Sequence, residues 1–249
     1  MMRSVLVTGG GSGIGRGIAA VLAERGWSVI VNDVDAATAE ATAKQVGGHA
    51  VPGDVGSDAA GLLAATLERT GGELHALVNN AGIIRRASLA EVSSEQLDEV
   101  YRVNLRAVIL LSQAALPHLA RAGGSVVNVS SIAAQTPQTN AGLYAASKAG
   151  VSQFTRQAAV EWAPQGVRVN AVAPGLVYSA MSASAYAQED LHERRRALVP
   201  LGRIGTPEDI GRVVAFLLSG DAGYVTGQVI AVDGGFTQIL LDQLSHPAQ

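Results

Sequence analysis

A tyrosine and a lysine four residues apart carry the most specific chemistry in this sequence. Tyr144 and Lys148 lie in the run Gly-Leu-Tyr-Ala-Ala-Ser-Lys-Ala. In a helix, one turn separates such residues by a rise of roughly 6 Å, so the phenol and the ammonium would share a face. A lysine held there stabilises the phenolate and lowers the pKa of the tyrosine from about 10. The pair predicts a tyrosine that exchanges a proton with a substrate near neutral pH, although chance also produces this spacing in many helices.

The composition is that of a globular protein without thiol or metal chemistry. The 249 residues are 48% hydrophobic and 16% charged, which suffices for a packed core in one large domain or two small ones. Cysteine is absent, which excludes disulfides, thiolate nucleophiles and cysteine ligands. The histidines show no spacing typical of metal ligands, so we predict no metal site. They are His49, His75, His118, His192 and His246.

Charge and the N-terminal residues indicate neither a nucleic-acid nor a membrane partner. With 18 basic and 21 acidic side chains the formal net charge is -3, and the longest basic run, 194–196, is isolated. The segment 1–8 is too short for the hydrophobic region of a signal peptide and has no cleavage site. No stretch approaches about 18 uninterrupted apolar residues. We therefore expect a cytoplasmic protein that binds no nucleic acid and spans no membrane.

Short apolar runs alternate with longer stretches rich in alanine and leucine. The apolar residues of these runs are mostly consecutive, as in strands that are buried on both faces. Strands are predicted at 4–8, 28–32, 50–52, 76–79, 125–129, 167–173 and 228–232. Helices are predicted at 13–25, 36–45, 58–69, 94–122, 143–163 and 207–219. The alternation predicts one α/β domain over residues 1–249, with a Rossmann fold in which helices cover both faces of a doubly wound, seven-stranded parallel sheet.

One polar segment does not fit this alternation. Residues 178–201 are rich in serine, alanine and arginine and follow the sixth predicted strand. In an open α/β sheet this position lies at the carboxyl edge, where ligands bind. We predict a substrate lid over about 178–201, and the alternative is an ordinary helical excursion on the surface.

A glycine-rich loop joins the first predicted strand to the first predicted helix. Its glycines at positions 9, 13 and 15 have the spacing Gly-x-x-x-Gly-x-Gly, which differs from the generic Gly-x-Gly-x-x-Gly fingerprint. Bare backbone at such a junction can approach a pyrophosphate, and the helix N-terminus favours its negative charge. The loop predicts a dinucleotide site, and a glycine-rich turn without a ligand is the alternative.

An acidic residue ends the second predicted strand. Asp33 follows Gly15 by eighteen residues, and a carboxylate there can accept hydrogen bonds from both ribose hydroxyls of an adenosine. The 2′-phosphate of NADP would meet a like charge, at a cost of roughly 4 kcal/mol for unit charges about 4 Å apart at an effective dielectric near 20. Asp33 therefore favours NAD over NADP. The alternative is that Asp33 or Asp35 only caps the following helix.

These motifs match one family along nearly the whole chain. The sequence resembles the short-chain dehydrogenases/reductases, most closely the subgroup that contains 3-oxoacyl-acyl-carrier-protein reductases and sugar or polyol dehydrogenases. Besides Tyr144 and Lys148, the resemblance rests on the cofactor loop 8–15, Gly53-Asp54-Val55, Asn79-Asn80-Ala81-Gly82, Asn104, Asn128-Val129-Ser130-Ser131, Pro174-Gly175, Val225-Thr226-Gly227-Gln228 and Asp233-Gly234-Gly235.

The resemblance implies an enzyme that transfers a hydride between NAD and a secondary alcohol or ketone. Tyr144 would be the general acid/base, and Lys148 would lower its pKa and hold the nicotinamide ribose. Ser131 lies thirteen residues before Tyr144, the spacing that the resemblance implies for the catalytic serine, so it is preferred over Ser130. Asn104 would position a water that links Lys148 to bulk solvent.

The resemblance also implies a set of cofactor-binding residues. Ser179 departs from the family pattern, because the family usually has threonine at this position, but a hydroxyl is retained. The predicted set comprises Gly9, Ser12, Gly13, Ile14, Gly15, Asp33, Asp54, Val55, Asn80, Ala81, Gly82, Tyr144, Lys148, Pro174, Gly175, Val177 and Ser179.

Two other functions are alternatives to this one. An NADPH-dependent ketoreductase of the 3-oxoacyl-acyl-carrier-protein type is opposed by Asp33 and by the lack of a basic residue at Ser12. A catalytically idle NAD-binding regulatory protein is opposed by the presence of all three catalytic residue types. The substrate is left open. Arg85 or Arg86 could meet a carboxylate, or both could be solvated.

The resemblance further implies a homotetramer. Its contacts would come from the two long predicted helices, 94–122 and 143–163, and from the last strand. The apolar tail 236–241 could cover the active site of a neighbour.

Overall fold

The computed structural model describes residues 2–178 and 189–239. The strands in these ranges form one parallel sheet. Its seven strands lie in the order β3-β2-β1-β4-β5-β6-β7. From β1 the chain adds β2 and β3 on one side, then crosses over and adds β4 to β7 on the other side of β1. The predicted doubly wound Rossmann fold is confirmed. The strands are β1 Ser4–Thr8, β2 Ser28–Asn32, β3 His49–Ala50, β4 Ala76–Asn79, β5 Ser125–Val129, β6 Arg168–Pro174 and β7 Val229–Val232.

The helices cover both faces of this sheet. Several begin where a polar side chain accepts a hydrogen bond from the first turn, as Ser93 and Thr206 do within capping boxes. The helices in the described ranges are α1 Gly13–Glu24, α2 Ala36–Val46, α3 Ala59–Thr70, α4 Ser94–Tyr101, α5 Ala107–Ala122, α6 Tyr144–Trp162, α7 Glu189–Ala197 and α8 Pro207–Leu218.

Two hydrophobic cores result, one on each face. Val5 and Val7 of β1 point to the core that contains residues of α1, α2 and α8. Leu6 points to the other core, which contains residues of α3, α5 and α6. All three side chains are fully buried. Because successive residues of a strand face opposite sides, a strand buried on both faces is apolar at consecutive positions, as Val5, Leu6 and Val7 are.

Two predicted elements differ from the structure by more than one residue at an end. The third strand is only His49–Ala50 and not 50–52, because beyond it the carbonyls of Val51 and Gly53 bind the side-chain amide of Asn32 in place of backbone N–H groups. The predicted helix 94–122 contains a π-helical turn at Arg102–Arg106, which separates α4 from α5.

The lid segment predicted at 178–201 is described only in part. Val177 forms an isolated parallel bridge to Gly205, and α7 occupies the second half of the segment. In α7, Arg196 and Glu193 form an exposed ion pair at 2.7 Å. Residues 179–188 and the tail beyond 239 lie outside the described ranges, so the lid and the covering tail stay predictions.

Within the described ranges, one helical stretch is long and apolar enough by length and composition to cross a membrane. It is Ser94–Ala122, with 29 residues and a mean hydropathy of 1.2. Leu111, Ala115 and Leu119 of this stretch are fully buried in the core beneath the sheet. Since a core helix passes the same test, length and composition are weak evidence for a membrane span.

Candidate active site

A cavity of about 600 Å³ opens at the carboxyl ends of the strands, where the strand order reverses between β1 and β4. This is the position at which open α/β sheets bind ligands. Of the predicted site residues in the described ranges, all except Asn104 line it. They are Gly9, Ser12, Gly13, Ile14, Gly15, Asp33, Asp54, Val55, Asn80, Ala81, Gly82, Ser131, Tyr144, Lys148, Pro174, Gly175 and Val177.

The glycine loop has no room for side chains. Gly9 has a φ of 62°, and a Cβ there would lie 2.9 Å from the Cα of Ala81. A Cβ on Gly15 would collide with the carbonyl oxygen of Gly9. The Asn80 amide donates hydrogen bonds to the carbonyls of Thr8 and Gly9 at 2.9 and 3.0 Å, which holds the loop against the segment after β4.

The N-terminus of α1 is open to an anion. Its N-cap residue is Ser12, whose side chain forms no capping hydrogen bond, and the first turn contains no acidic residue. The first N–H groups of a helix have no partner within the helix and carry a partial positive charge. A bare loop and an uncapped helix start therefore fit the pyrophosphate of a dinucleotide.

The structure gives Asp33 and Asp35 different roles, which the sequence alone did not distinguish. Asp35 is the N-cap of α2, where its carboxylate accepts hydrogen bonds from the N–H groups of Ala37 and Thr38. Asp33 lines the cavity, and its carboxylate accepts hydrogen bonds from the N–H of Gly11 at 2.9 Å and of Asp35 at 3.2 Å. The carboxylate at the end of β2 is thus fixed beside the glycine loop.

An ion pair beside this region was missed by sequence reasoning. Arg102 donates to the Asp54 carboxylate at 2.7 Å. Asp54 also accepts from the N–H of Gly56 and the hydroxyl of Ser57, and these bonds hold its pKa below its ordinary value although burial opposes them. The partners are 48 residues apart in the chain, so no local pattern signals the contact.

Tyr144 is the first residue of α6 and Lys148 follows one turn later, and both line the cavity. The Lys148 side chain is buried, and its Nζ donates to the carbonyl oxygen of Val129 at 2.7 Å. The same Nζ lies 5.8 Å from the centre of the Tyr144 ring. Gly82 leaves space for the ammonium, because a Cβ there would lie 3.3 Å from Nζ. The predicted pair therefore shares one face of a helix.

Burial controls the ionisation of both groups in the polypeptide alone. It raises the pKa of the Tyr144 phenol, and the Ser131 hydroxyl opposes that rise. It lowers the pKa of the Lys148 ammonium from 10.5 to about 8. The expectation that the tyrosine has a lowered pKa is wrong for the polypeptide alone, since removal of the phenolate from water outweighs the hydroxyl's effect.

The two neighbouring serines have different surroundings. The Ser130 side chain is buried, and its hydroxyl donates to the carbonyl of Lys148 at 3.0 Å and lies 2.7 Å from the hydroxyl of Ser152. Both serines line the cavity, but the Ser131 hydroxyl is hydrogen-bonded to the Tyr144 phenol and accepts from the N–H of Ala133 at 3.1 Å. Ser131 is thus the serine placed to contact a ligand.

Asn104 lies behind the cavity in the π-helical turn. Its side-chain oxygen accepts from the N–H of Ile83 at 2.8 Å, and its amide donates to the Ile83 carbonyl and to the hydroxyl of Ser147. It is fully buried and does not line the cavity. π-Helical turns are frequent at functional sites. The predicted water relay through Asn104 stays a prediction.

Several cavity residues are absent from the predicted catalytic and cofactor-binding set, although Arg85, Arg86 and the lid residue Arg195 were expected on the substrate side. They belong to loops and helices whose sequences carry no specific motif. The additional lining residues include Ile83, Ile84, Arg85, Arg86, Glu99, Arg102, Val103, Gln138, Leu176 and Arg195.

Two other predictions concern Ser179 and metal binding. Ser179 lies outside the described ranges. In residues 2–178 and 189–239, no group of three His, Cys, Asp or Glu side chains could hold a metal ion.

Comparison with known proteins decides the family. A family model described as enoyl-(acyl carrier protein) reductase matches residues 9–237. The chain is 41% identical over 246 residues to cis-4-hydroxycyclohexanecarboxylate dehydrogenase of Sinomonas cyclohexanicum, covering 95% of this chain and 97% of the relative. The chain belongs to the short-chain dehydrogenase/reductase family.

Other members of the short-chain dehydrogenase/reductase family support this assignment. A 2-(S)-hydroxypropyl-CoM dehydrogenase of Xanthobacter autotrophicus is 40% identical, over 94% of this chain and 96% of the relative. The structure of a 3-ketoacyl-(acyl-carrier-protein) reductase of Brucella melitensis complexed with NADH has a TM-score of 0.88 and 32% identity, over 94% of this chain and 98% of that one. The protein is an oxidoreductase that transfers a hydride between a nicotinamide cofactor and a secondary alcohol or ketone.

The lowered pKa of Lys148 predicts a pH-dependent stability. Between about pH 8 and 10.5 the unfolded chain binds more protons at Lys148 than the folded protein does, so the free energy of unfolding should rise with pH by up to about 1.4 kcal/mol per unit. In Lys148→Met this contribution should disappear. Urea denaturation of the protein without added cofactor, at several pH values from 7.5 to 10, measures the slope.

Lys44 is the only other lysine in the chain and lies exposed in α2. Lys44→Met should therefore keep the wild-type slope. Parallel curves for wild type and Lys148→Met would contradict the lowered pKa.

Proposed function

We propose that the protein is an NAD-dependent dehydrogenase in which Tyr144 is the general acid/base for a secondary alcohol. The carrying observation is that Ser131, Tyr144 and Lys148 line one cavity together with an uncapped helix start and the Asp33 carboxylate. Each end of the cavity therefore has its own chemistry. The glycine loop and Asp33 fit an adenosine diphosphate, and the serine and tyrosine fit a reacting oxygen.

The chemistry of these residues follows from their positions. A bound nicotinamide supplies the hydride acceptor. Ser131 donates to the substrate oxygen and orients it towards Tyr144. The Tyr144 phenolate takes the hydroxyl proton as the hydride leaves the carbinol carbon, and the phenol returns a proton in the reverse reaction. The Lys148 ammonium, held by the Val129 carbonyl, would favour that phenolate against the burial that raises the pKa of the phenol.

The NAD preference rests on Asp33. Its carboxylate lies beside the glycine loop, where it would accept from the ribose hydroxyls and repel a 2′-phosphate. An NADPH-dependent 3-oxoacyl-acyl-carrier-protein ketoreductase is the alternative, and Asp33 opposes it. The relative in Sinomonas cyclohexanicum oxidises a hydroxycarboxylate by its name, which supports the dehydrogenase.

We also propose that the protein is a cytoplasmic homotetramer. Apolar side chains stay exposed on the outer helices and beyond them, among them Val160 of α6, Phe216 of α8 and Tyr224. The edge strand β7 is apolar and only half-buried. Burial of these surfaces against other copies would remove them from water.

Tyr144→Phe tests the proposed function. It removes the proton acceptor and keeps the ring, so we expect kcat to fall by about 10²- to 10⁴-fold. NAD affinity, measured by calorimetry, should change little. Rates are to be measured with the alcohol that the wild type oxidises fastest in a panel of sugars, polyols, hydroxy acids and hydroxyacyl thioesters. An unchanged rate would remove Tyr144 from its role.

The two serines provide a matched comparison. Ser131→Ala should lower kcat strongly with little loss of stability, because Ser131 contacts the substrate oxygen. Ser130→Ala should lower the free energy of unfolding by about 1–3 kcal/mol, because it removes a buried hydroxyl from Ser152 and the Lys148 carbonyl. Its kcat should fall much less. The opposite result in kinetics and urea denaturation would show that the wrong serine was chosen.

Asp33→Asn tests the cofactor preference. Asparagine keeps an acceptor for the Gly11 N–H and removes the charge, so the ratio of kcat/KM for NAD over NADP should fall by about 10- to 100-fold. Asp35→Asn is the control, since Asp35 only caps α2, and it should keep the wild-type ratio. Equal turnover of NAD and NADP by the wild type would overturn the assignment of Asp33.

A further inference from the structure

The loop after β4 carries two adjacent arginines to the start of α6. The N–H of Gly142 donates to the carbonyl of Ala87 at 3.1 Å. Gly142 has a φ of 56°, and a Cβ there would lie 2.5 Å from the carbonyl oxygen of Arg85. Residues 85–87 thus pack against the backbone two residues before Tyr144. Both arginines line the same cavity as Tyr144.

The two arginines have different partners in the structure. Arg85 donates from Nε to Glu99 at 2.7 Å and forms a second contact to the same carboxylate at 2.5 Å. This bidentate pair neutralises its charge. Arg86 is exposed at the cavity and forms no hydrogen bond or ion pair with any residue in the described ranges. One guanidinium is therefore committed to the protein, and the other is available to a ligand.

The charges near Arg86 leave its guanidinium uncompensated. Of the carboxylates that line the described cavity, Glu99 is paired with Arg85 and Asp54 with Arg102. Asp33 is bonded to the glycine loop at the opposite, adenosine end. Gln138 lines the cavity too and has no hydrogen-bond partner in the described part of the chain. The catalytic end of the cavity thus combines a cation with an unpaired amide.

We propose that Arg86 binds a carboxylate of the substrate, so that the enzyme acts on a hydroxy acid whose carbinol lies at Tyr144. A guanidinium offers two parallel N–H donors that match the two oxygens of a carboxylate. Gln138 supplies a further amide N–H or carbonyl for a polar group of the same molecule. This assignment rests on the proposed function, since it takes Tyr144 as the reacting end.

Binding of an unreactive acid tests the subsite without turnover. Protein saturated with NAD, or with NADP if that binds better, is titrated calorimetrically with cyclohexanecarboxylate and with cyclohexanecarboxamide. The wild type should bind the acid more tightly than the amide, and salt should weaken only the acid. Arg86→Gln should raise the Kd of the acid by about tenfold and leave that of the amide unchanged. Arg86→Lys should fall between them, because lysine keeps the charge without the fork.

The double variant Arg85→Gln/Glu99→Gln is the matched control. It removes the neighbouring guanidinium together with its carboxylate, so the net charge of the cavity is unchanged. Its ratio of acid to amide affinity should stay within about twofold of the wild-type value. A general disturbance of the loop would instead change acid and amide binding alike in both variants.

Three results would overturn the proposal. The wild type could fail to bind the acid, it could bind acid and amide equally, or Arg86→Gln could bind the acid as tightly as the wild type does. Turnover is scored separately with 4-hydroxycyclohexanecarboxylate and its amide. If the protein binds the acid more tightly than the amide but oxidises no alcohol in the panel, the proposed function is wrong and the carboxylate subsite stands. If it oxidises neutral alcohols but binds acid and amide equally, the proposed function stands and the carboxylate subsite is wrong.

Discussion

The hydrogen bond from the Lys148 ammonium to the Val129 carbonyl is the interaction on which the site depends. A buried ammonium is costly unless it has a partner, and this carbonyl at the end of β5 is the partner. The hydroxyl of Ser130 binds the Lys148 carbonyl from the same strand end. Helix α6 is thus tied at one residue through both its side chain and its backbone. Tyr144, one turn earlier, is held facing Ser131 as a consequence.

Buried polar side chains fix the helices against the sheet in the same way. Asn79 at the end of β4 donates to Asn128 of β5 and to Ser112 of α5, and Asn128 donates to Thr155 of α6. In the described part of the chain every buried side-chain nitrogen or oxygen has a partner. A shift of either helix along the sheet would leave several of these groups unpaired, at about 1–3 kcal/mol each. Apolar packing alone tolerates such shifts more readily.

Sequence reasoning succeeded wherever spacing along one element decides the outcome. The Tyr144 and Lys148 spacing places both side chains on one helical face, and the glycine loop lies at a strand-to-helix junction. It failed to distinguish neighbours of similar type. Ser130 and Ser131, Asp33 and Asp35, and Arg85 and Arg86 carry the same groups one or two positions apart. The contacts of each side chain separate them: Asp35 caps α2, Ser130 is bonded to Ser152 and to the Lys148 carbonyl, and Arg85 is paired with Glu99. Asp33, Ser131 and Arg86 present their groups to the cavity.

The sequence by itself determined the parallel sheet, because short runs of consecutive apolar residues that alternate with helical stretches are typical of strands covered on both faces. It also determined the order of loops at the carboxyl edge and the residue types that reach it. Only the tertiary structure decided which of those groups are neutralised. The pairs of Asp54 with Arg102 and of Arg85 with Glu99 join residues from different segments. Charge compensation depends on distance in space, which local sequence does not encode.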